Sequence, residues 1–176
     1  CRATDAVMII SLASRPSMLP IPVIPGVCRP GPPALYSLPM AANRHLVILN
    51  PIAGKGRAAE RIPEVEALLA ARKIDYELRL TTGVWNAAEL AREAAREGFT
   101  TVVAAGGDGT VNEVVNGLML SRERGDRTPS MGVLAVGRGN DFCYGADIPE
   151  ELGPCVDAIA GGLARPLDVG RVVGGD

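Results

Sequence analysis

From His45 onward the chain alternates between two hydrophobic periods. "HLVILN" (His45–Asn50) is an unbroken apolar run that stops at Asn-Pro, which predicts a buried strand entering a turn. "GRAAERIPEVEALLAARK" (Gly56–Lys73) then puts Ile62, Val65, Leu68 and Leu69 on one helical face, with Pro63 expected to kink or restart the helix. "DYELRLT" (Asp75–Thr81) alternates as a half-exposed strand does. "NAAELAREAAREG" (Asn86–Gly98) is Ala-rich and helical. Asn86 reads as its N-cap, Glu89 as the partner in a capping box, and Gly98 as its C-terminal stop. "TTVVAA" (Thr100–Ala105) predicts a central strand, "TVNEVVNGLML" (Thr110–Leu120) a helix, and "MGVLAV" (Met131–Val136) a further strand. "PEELGPCVDAIAGG" (Pro149–Gly162) predicts a helix weakened early by Gly153 and Pro154, and "RPLDVGRVV" (Arg165–Val173) a last strand.

Strands alternating with helices predict an α/β fold of three layers, a mostly parallel sheet with helices on both faces. Apolar strands with little alternation fit a sheet covered on both sides. Such sheets bind ligands at the carboxyl ends of their strands. Four polar or glycine-rich turns fall there: "NPIAGKG", "TTGVWN", "GGDGT" and "GRGND".

Residues 1–39 have a different character. They hold eight of the 14 prolines and only four charged residues, Arg2, Asp5, Arg15 and Arg29. Each proline removes a backbone donor, so "PIPVIPGVCRPGPPALYSLP" is unsuited to a helix or a central strand. The segment is expected to lie outside the fold, unstructured or spurious, with Met40 as the true start. A rival reading, a targeting segment, finds the apolar "AVMIISLA" but no small-x-small cleavage site after it. The expected domain is residues 40–173.

Composition narrows the chemistry. The length of 176 residues and a hydrophobic content of 47% suit one domain, and aromatics at 3% leave the core to Ala, Val, Leu and Ile. A net charge of −2 argues against a nucleic-acid partner. Cys1, Cys28, Cys143 and Cys155 form no CxxC and have no histidine at ligand spacing, which points to a reducing compartment without structural zinc. Cys143 and Cys155 are expected in the core, the single His45 at a surface or strand edge, and Trp85 in a packing role. Only Lys55 and Lys73 are lysines, and Lys55 alone falls at the rim.

The turn "GGDGT" suits an anion. Gly106, Gly107 and Gly109 are expected to permit positive φ and to leave no Cβ in a ligand's way. The helix that follows brings free N–H groups and about +0.5 of an elementary charge. Asp108 would repel phosphate unless a cation stands between them. Mg²⁺, which binds one or two carboxylates, waters and phosphate oxygens, would do so. The alternative is that Asp108 only N-caps the helix. Asp141 has the same two readings, metal network or cap to a short helix at 142–144. Lys55 is either a rim ligand or a solvated lysine.

In this order and at these spacings, "NPIAGKG", "GGDGTVNEV" and "GRGNDF" resemble the catalytic domain of the diacylglycerol kinase family, over roughly residues 44–173. The resemblance implies ATP-dependent transfer of the γ-phosphoryl group to a lipid hydroxyl, with Mg²⁺ as cofactor. It carries ATP binding to Asn50, Gly54, Lys55, Thr82, Gly106, Gly107, Asp108, Gly109, Thr110, Asn112, Glu113, Gly139 and Asn140. It also implies a Mg²⁺–water–carboxylate network of Asp108 and Asp141 with Lys55. Ala53 and Arg138 depart from the family pattern, which commonly has hydroxyl residues there. In the family, the general base and lipid-binding surface lie in a β-rich second domain. The resemblance therefore implies that residues 174–176 open such a domain, which the chain lacks, that no catalytic base is expected here, and that the chain alone is expected to be inactive. The implied partners are ATP and a lipid acceptor at the cytoplasmic membrane face, reached peripherally; homodimerisation stays open. NAD kinases share the glycine turn and form one alternative, although their second glycine motif is absent. A non-catalytic nucleotide-binding module is the other.

Overall fold

The unbroken apolar runs form the centre of a seven-stranded sheet in the computed structural model, which describes residues 7–11, 36–37 and 43–170. The strands are β1 (Val7–Ser11), β2 (Tyr36–Ser37), β3 (Arg44–Leu49), β4 (Asp75–Leu80), β5 (Thr101–Gly106), β6 (Ser130–Ala135) and β7 (Leu163–Asp168). Their spatial order is β2-β7-β1-β6-β5-β3-β4. All pairings from β4 through β3, β5 and β6 to β1 are parallel, while β7 runs antiparallel to β1 and β2 to β7. Every residue of β5 and β6 is buried, as is β3 after Arg44. The alternating β4 is the half-exposed edge that its pattern predicts.

The helices are α1 (Arg57–Glu60), α2 (Ile62–Ala71), α3 (Asn86–Arg96), α4 (Asp108–Glu123), α5 (Asp141–Gly145) and α6 (Leu152–Gly161). The connections β4-α3-β5 and β5-α4-β6 step across the sheet in one direction, and β3-α2-β4 steps in the other. Right-handed crossovers therefore put α3 and α4 on one face and α2 on the opposite face. The packing of α3 on α4 agrees with the shared face, and Arg72 at the end of α2 ion-pairs with Asp157 of α6. The α3–α4 contact explains the alanine-rich sequence. Ala87, Ala88, Ala91 and Ala94 are buried, and a Cβ on Gly117 would lie 2.9 Å from the Ala88 carbonyl carbon. The Ser121 hydroxyl donates to the Arg92 carbonyl at 2.9 Å within the same contact.

Local corrections each have a physical cause. The helix restarts after Arg61, as expected of Pro63, which falls in the first turn of α2 where a missing N–H is harmless. Helix α4 begins at Asp108, two residues before the expected Thr110. Helix α6 begins at Leu152, so Pro154 falls in a first turn rather than weakening a longer helix. Asn86 is the first helical residue of α3 and not its N-cap, which is Trp85 at φ 64°. The Asn86 side-chain carbonyl turns back to accept from the Thr82 N–H at 3.0 Å, so the capping box does not form. Gly98 follows α3 at φ 80°, as expected of a stop. His45 is 5% exposed and not at an edge, because β3 lies between β4 and β5. Cys143 and Cys155 are buried as expected.

The expectation that residues 1–39 lie outside the fold does not hold for two stretches of backbone. β1 pairs with β6 at Ile10↔Met131 and with β7 from Val7↔Asp168 to Ser11↔Ala164, and β2 pairs with β7 at Tyr36↔Ala164. "VMIIS" is apolar and free of proline, so it can fill the sheet edge beside β6. Met40, the expected start, and residues 174–176 fall outside the described residues.

Candidate functional site

The strand register brings four turns to one level. Leu49 pairs with Leu80 and with Ala105, and Gly106 pairs with Ala135, so β3, β4, β5 and β6 end together. In the turn after β3, the Asn50 N–H donates to the Ala105 carbonyl at 3.0 Å. Its side-chain carbonyl accepts from the Ile52 N–H, and its amide donates to the Thr110 hydroxyl, each at 3.2 Å. Asn50 thus ties the first turn to the glycine turn. Thr110 is buried, and its hydroxyl oxygen accepts this bond.

Gly54, Lys55 and Gly56 form a left-handed stretch at φ 62°, 63° and 87°. For Lys55 that conformation costs about 1 kcal/mol. Gly54 is required twice over, since a Cβ there would also lie 3.0 Å from the Val136 carbonyl oxygen. Lys55 is exposed and forms no direct ion pair with Asp108 or Asp141.

Of the two reasons expected for the glycines, positive φ does not hold. None of Gly106, Gly107 and Gly109 has a positive φ. Close approach is what excludes side chains. A Cβ on Gly106 would lie 2.9 Å from Thr110 Cγ2, and one on Gly137 would lie 2.8 Å from the Gly107 nitrogen. Gly109 differs: it is exposed, and a Cβ there would meet nothing within 4 Å. It sits in the first turn of α4, where the N–H groups have no intrahelical acceptor. That combination is an open, positively polarised surface.

Neither carboxylate caps its own helix. Gly107 is the N-cap of α4 and Asn140, at φ 55°, the N-cap of α5. Asp108 instead reaches across, and its Oδ1 accepts from the Phe142 N–H in α5 at 2.9 Å. Its Oδ2 and the Oδ1 of exposed Asp141 lie 3.2 and 3.8 Å from the point where a Cβ on Gly139 would stand. The two acids therefore share one small space, with one oxygen of Asp108 left over. The Asn140 side-chain carbonyl oxygen, 2.9 Å from the point where a Cβ on Gly137 would stand, is buried and has no partner among the described residues.

Three expected ligands do not join this space. Glu113 accepts from the Ala87 N–H at 3.2 Å, at the start of α3. Asn112 is exposed one turn into α4, and its side-chain carbonyl accepts from Asn116. Thr82 is exposed, with its hydroxyl directed to Asn86 at 3.3 Å. Trp85 is 53% exposed, so its expected packing role fails. Gly137, the first residue of "GRGND", shapes the rim without any signal of its own in the sequence. Its proximity to Gly107 joins turns that are 30 residues apart.

No group of three or more His, Cys, Asp or Glu capable of holding a metal occurs among the described residues. A pair of carboxylates beside a free helix start nevertheless fits Mg²⁺, which takes few protein ligands and completes its shell with water and phosphate. At the opposite end of the sheet a crevice lined by Asn43, His45, Thr101 and Ser130 has room for about one water.

The chain matches the family model of the diacylglycerol kinase catalytic domain over residues 44–172. The diacylglycerol kinase of Bacillus subtilis is 37% identical over 133 residues, covering 75% of this chain and 43% of that protein. A probable lipid kinase YegS of Salmonella newport is 38% identical over 127 residues, 72% of this chain and 41% of its own length. Among solved structures, a putative diacylglycerol kinase from Bacillus anthracis superposes with a TM-score of 0.59 at 27% identity, over 67% of this chain and 41% of that one. The chain thus spans about two fifths of the length of these relatives.

Proposed function

This chain belongs to the diacylglycerol kinase catalytic domain family, and on that premise we propose that it binds ATP with Mg²⁺ at the strand rim and serves transfer of the γ-phosphoryl group to a lipid hydroxyl, that of diacylglycerol or a related lipid. The observation that carries this reading is the open helix start at Gly109 beside two acids that leave an oxygen free. Phosphoryl transfer depends mostly on positioning and charge neutralisation, and the rim supplies groups for both.

Each residue has a defined task in this reading. The N–H groups of Gly109 and Thr110 receive phosphate oxygens. The left-handed Gly54–Gly56 stretch presents Lys55 to the same anion, and Asn50 keeps that stretch against the glycine turn. Asp108 has a divided role: Oδ1 fixes α5, while Oδ2, with Asp141, would hold Mg²⁺. When bound, the ion would offset charge on the β- and γ-phosphate oxygens. Arg138, exposed on the turn after β6, adds a cation at this rim. Among the described residues no helix is long and apolar enough to cross a membrane, and the proposed place of action is the cytoplasmic membrane surface, reached peripherally.

The intact protein tests this reading when given labelled ATP and Mg²⁺ with diacylglycerol micelles or with NAD. Label in phosphatidic acid, and none in NADP, is expected. Label in NADP alone would replace the lipid-kinase reading with an NAD kinase. ATP uptake with neither product would leave a nucleotide-binding module.

A further inference from the structure

Three polar side chains in the first two turns of α4 leave the helix in three directions. At about 100° per residue, Thr110 and Glu113 stand about 200° and 140° round from Asp108. Each holds a different turn of the rim. Thr110 accepts from Asn50 in the turn after β3, Asp108 accepts from Phe142 after β6, and Glu113 accepts from Ala87 after β4. The start of α4 is therefore a hub on which the other three turns are mounted.

Glu113 is the member whose task the sequence pattern conceals. Ala87 is the second residue of α3, so its N–H has no acceptor within its own helix. The N-cap, Trp85, has no side-chain oxygen to offer, and the Asn86 side-chain carbonyl is turned away to Thr82. The half-buried Glu113 carboxylate fills this gap from the neighbouring helix, where a negative charge also suits the positive helix end. It arrives there because α3 and α4 are nearly in backbone contact at Ala88 and Gly117.

We propose that Glu113 is a positioning residue for the rim: by capping α3 it sets the turn that carries Thr82 and Trp85, and it does not touch nucleotide. The nucleotide arm of this inference rests on the function proposed above; the capping arm does not.

Three variants of the chain test it: Glu113→Ala, Glu113→Gln and Glu113→Asp. Gln keeps an acceptor at the same reach without the charge, whereas Asp keeps the charge and falls a methylene short. Losing a cap is expected to speed Ala87 amide exchange about fivefold in the Ala and Asp variants. The fluorescence anisotropy of Trp85, the only tryptophan, should fall with it. The dissociation constant for Mg²⁺–ATP should rise by a similar factor. Gln should rescue all three readouts to within about twofold of wild type. The proposal is overturned if Ala and Asp leave exchange and anisotropy unchanged, or if Gln weakens ATP binding as much as Ala does. If the wild type binds no ATP, the proposed function falls, while exchange and anisotropy still decide the role of Glu113. Should the Ala variant not fold, the difference between the Gln and Asp variants decides the matter in the same way.

Discussion

Replacing Gly109 with alanine separates the two reasons a glycine can occupy this turn. A Cβ at Gly109 meets nothing within 4 Å, and the residue lies in the first turn of α4 at an ordinary negative φ. Alanine there restricts the unfolded chain at no steric cost, so stability should rise by about 0.4–1 kcal/mol. The added methyl stands where phosphate is proposed to lie. Losing one hydrogen bond to a charged oxygen, worth about 1.5 kcal/mol, weakens ATP binding about tenfold. Gly137→Ala is the contrasting control. Its methyl would lie 2.8 Å from the Gly107 nitrogen, against backbone that has no rotamer to change. Overpacking of that kind costs about 1–3 kcal/mol. Urea unfolding read by circular dichroism gives the stabilities, and calorimetry gives the affinities. A Gly109→Ala protein that is more stable and binds ATP within about twofold of wild type would refute the phosphate assignment.

Other substitutions probe separate parts of the account. Lys55→Gly should raise stability by about 1 kcal/mol by relieving the left-handed strain, while weakening ATP binding through loss of the cation; a stability decrease would argue against strain. Gly117→Ala should destabilise by about 1–3 kcal/mol, because its methyl meets the Ala88 backbone; an unchanged melting temperature would mean that α3 and α4 stand further apart. Burial, the largest effect, pushes the His45 imidazole below its ordinary pKa, against the raising influence of its backbone contacts with Asp75 and Asn43 and of the Asp75 charge. The unfolded chain therefore binds the proton more readily. Stability should be fully present above about pH 6.5 and decline as pH falls below it, and His45→Gln should flatten that slope in pH-dependent melting.

The alternation of strands and helices was legible because each apolar run is long enough to carry a period, and the parallel order follows from that alternation. The rim followed in turn, since parallel strands end on one side. Contacts that depend on a distant partner were not legible. A glycine in the sequence does not say whether it serves φ or close approach; Gly106 and Gly137 serve approach, to Thr110 and Gly107. Asp108 and Asn86 have the residue type of caps, but Asp108 caps α5 in place of α4, and Asn86 bonds back to Thr82. The direction of Glu113 depends on how closely α3 and α4 cross, which local pattern does not encode. Likewise, "VMIIS" enters the sheet through β6 and β7, more than 100 residues later.

Calorimetric titration of ATP into the folded chain, with and without Mg²⁺, addresses the rim most directly. One saturable site is expected with the ion present, together with a marked loss of affinity when Mg²⁺ is withheld or Asp108 is changed to Ala. An absence of binding heat under both conditions, at temperatures on either side of 25 °C, would contradict the assignment of the glycine turn to a nucleotide.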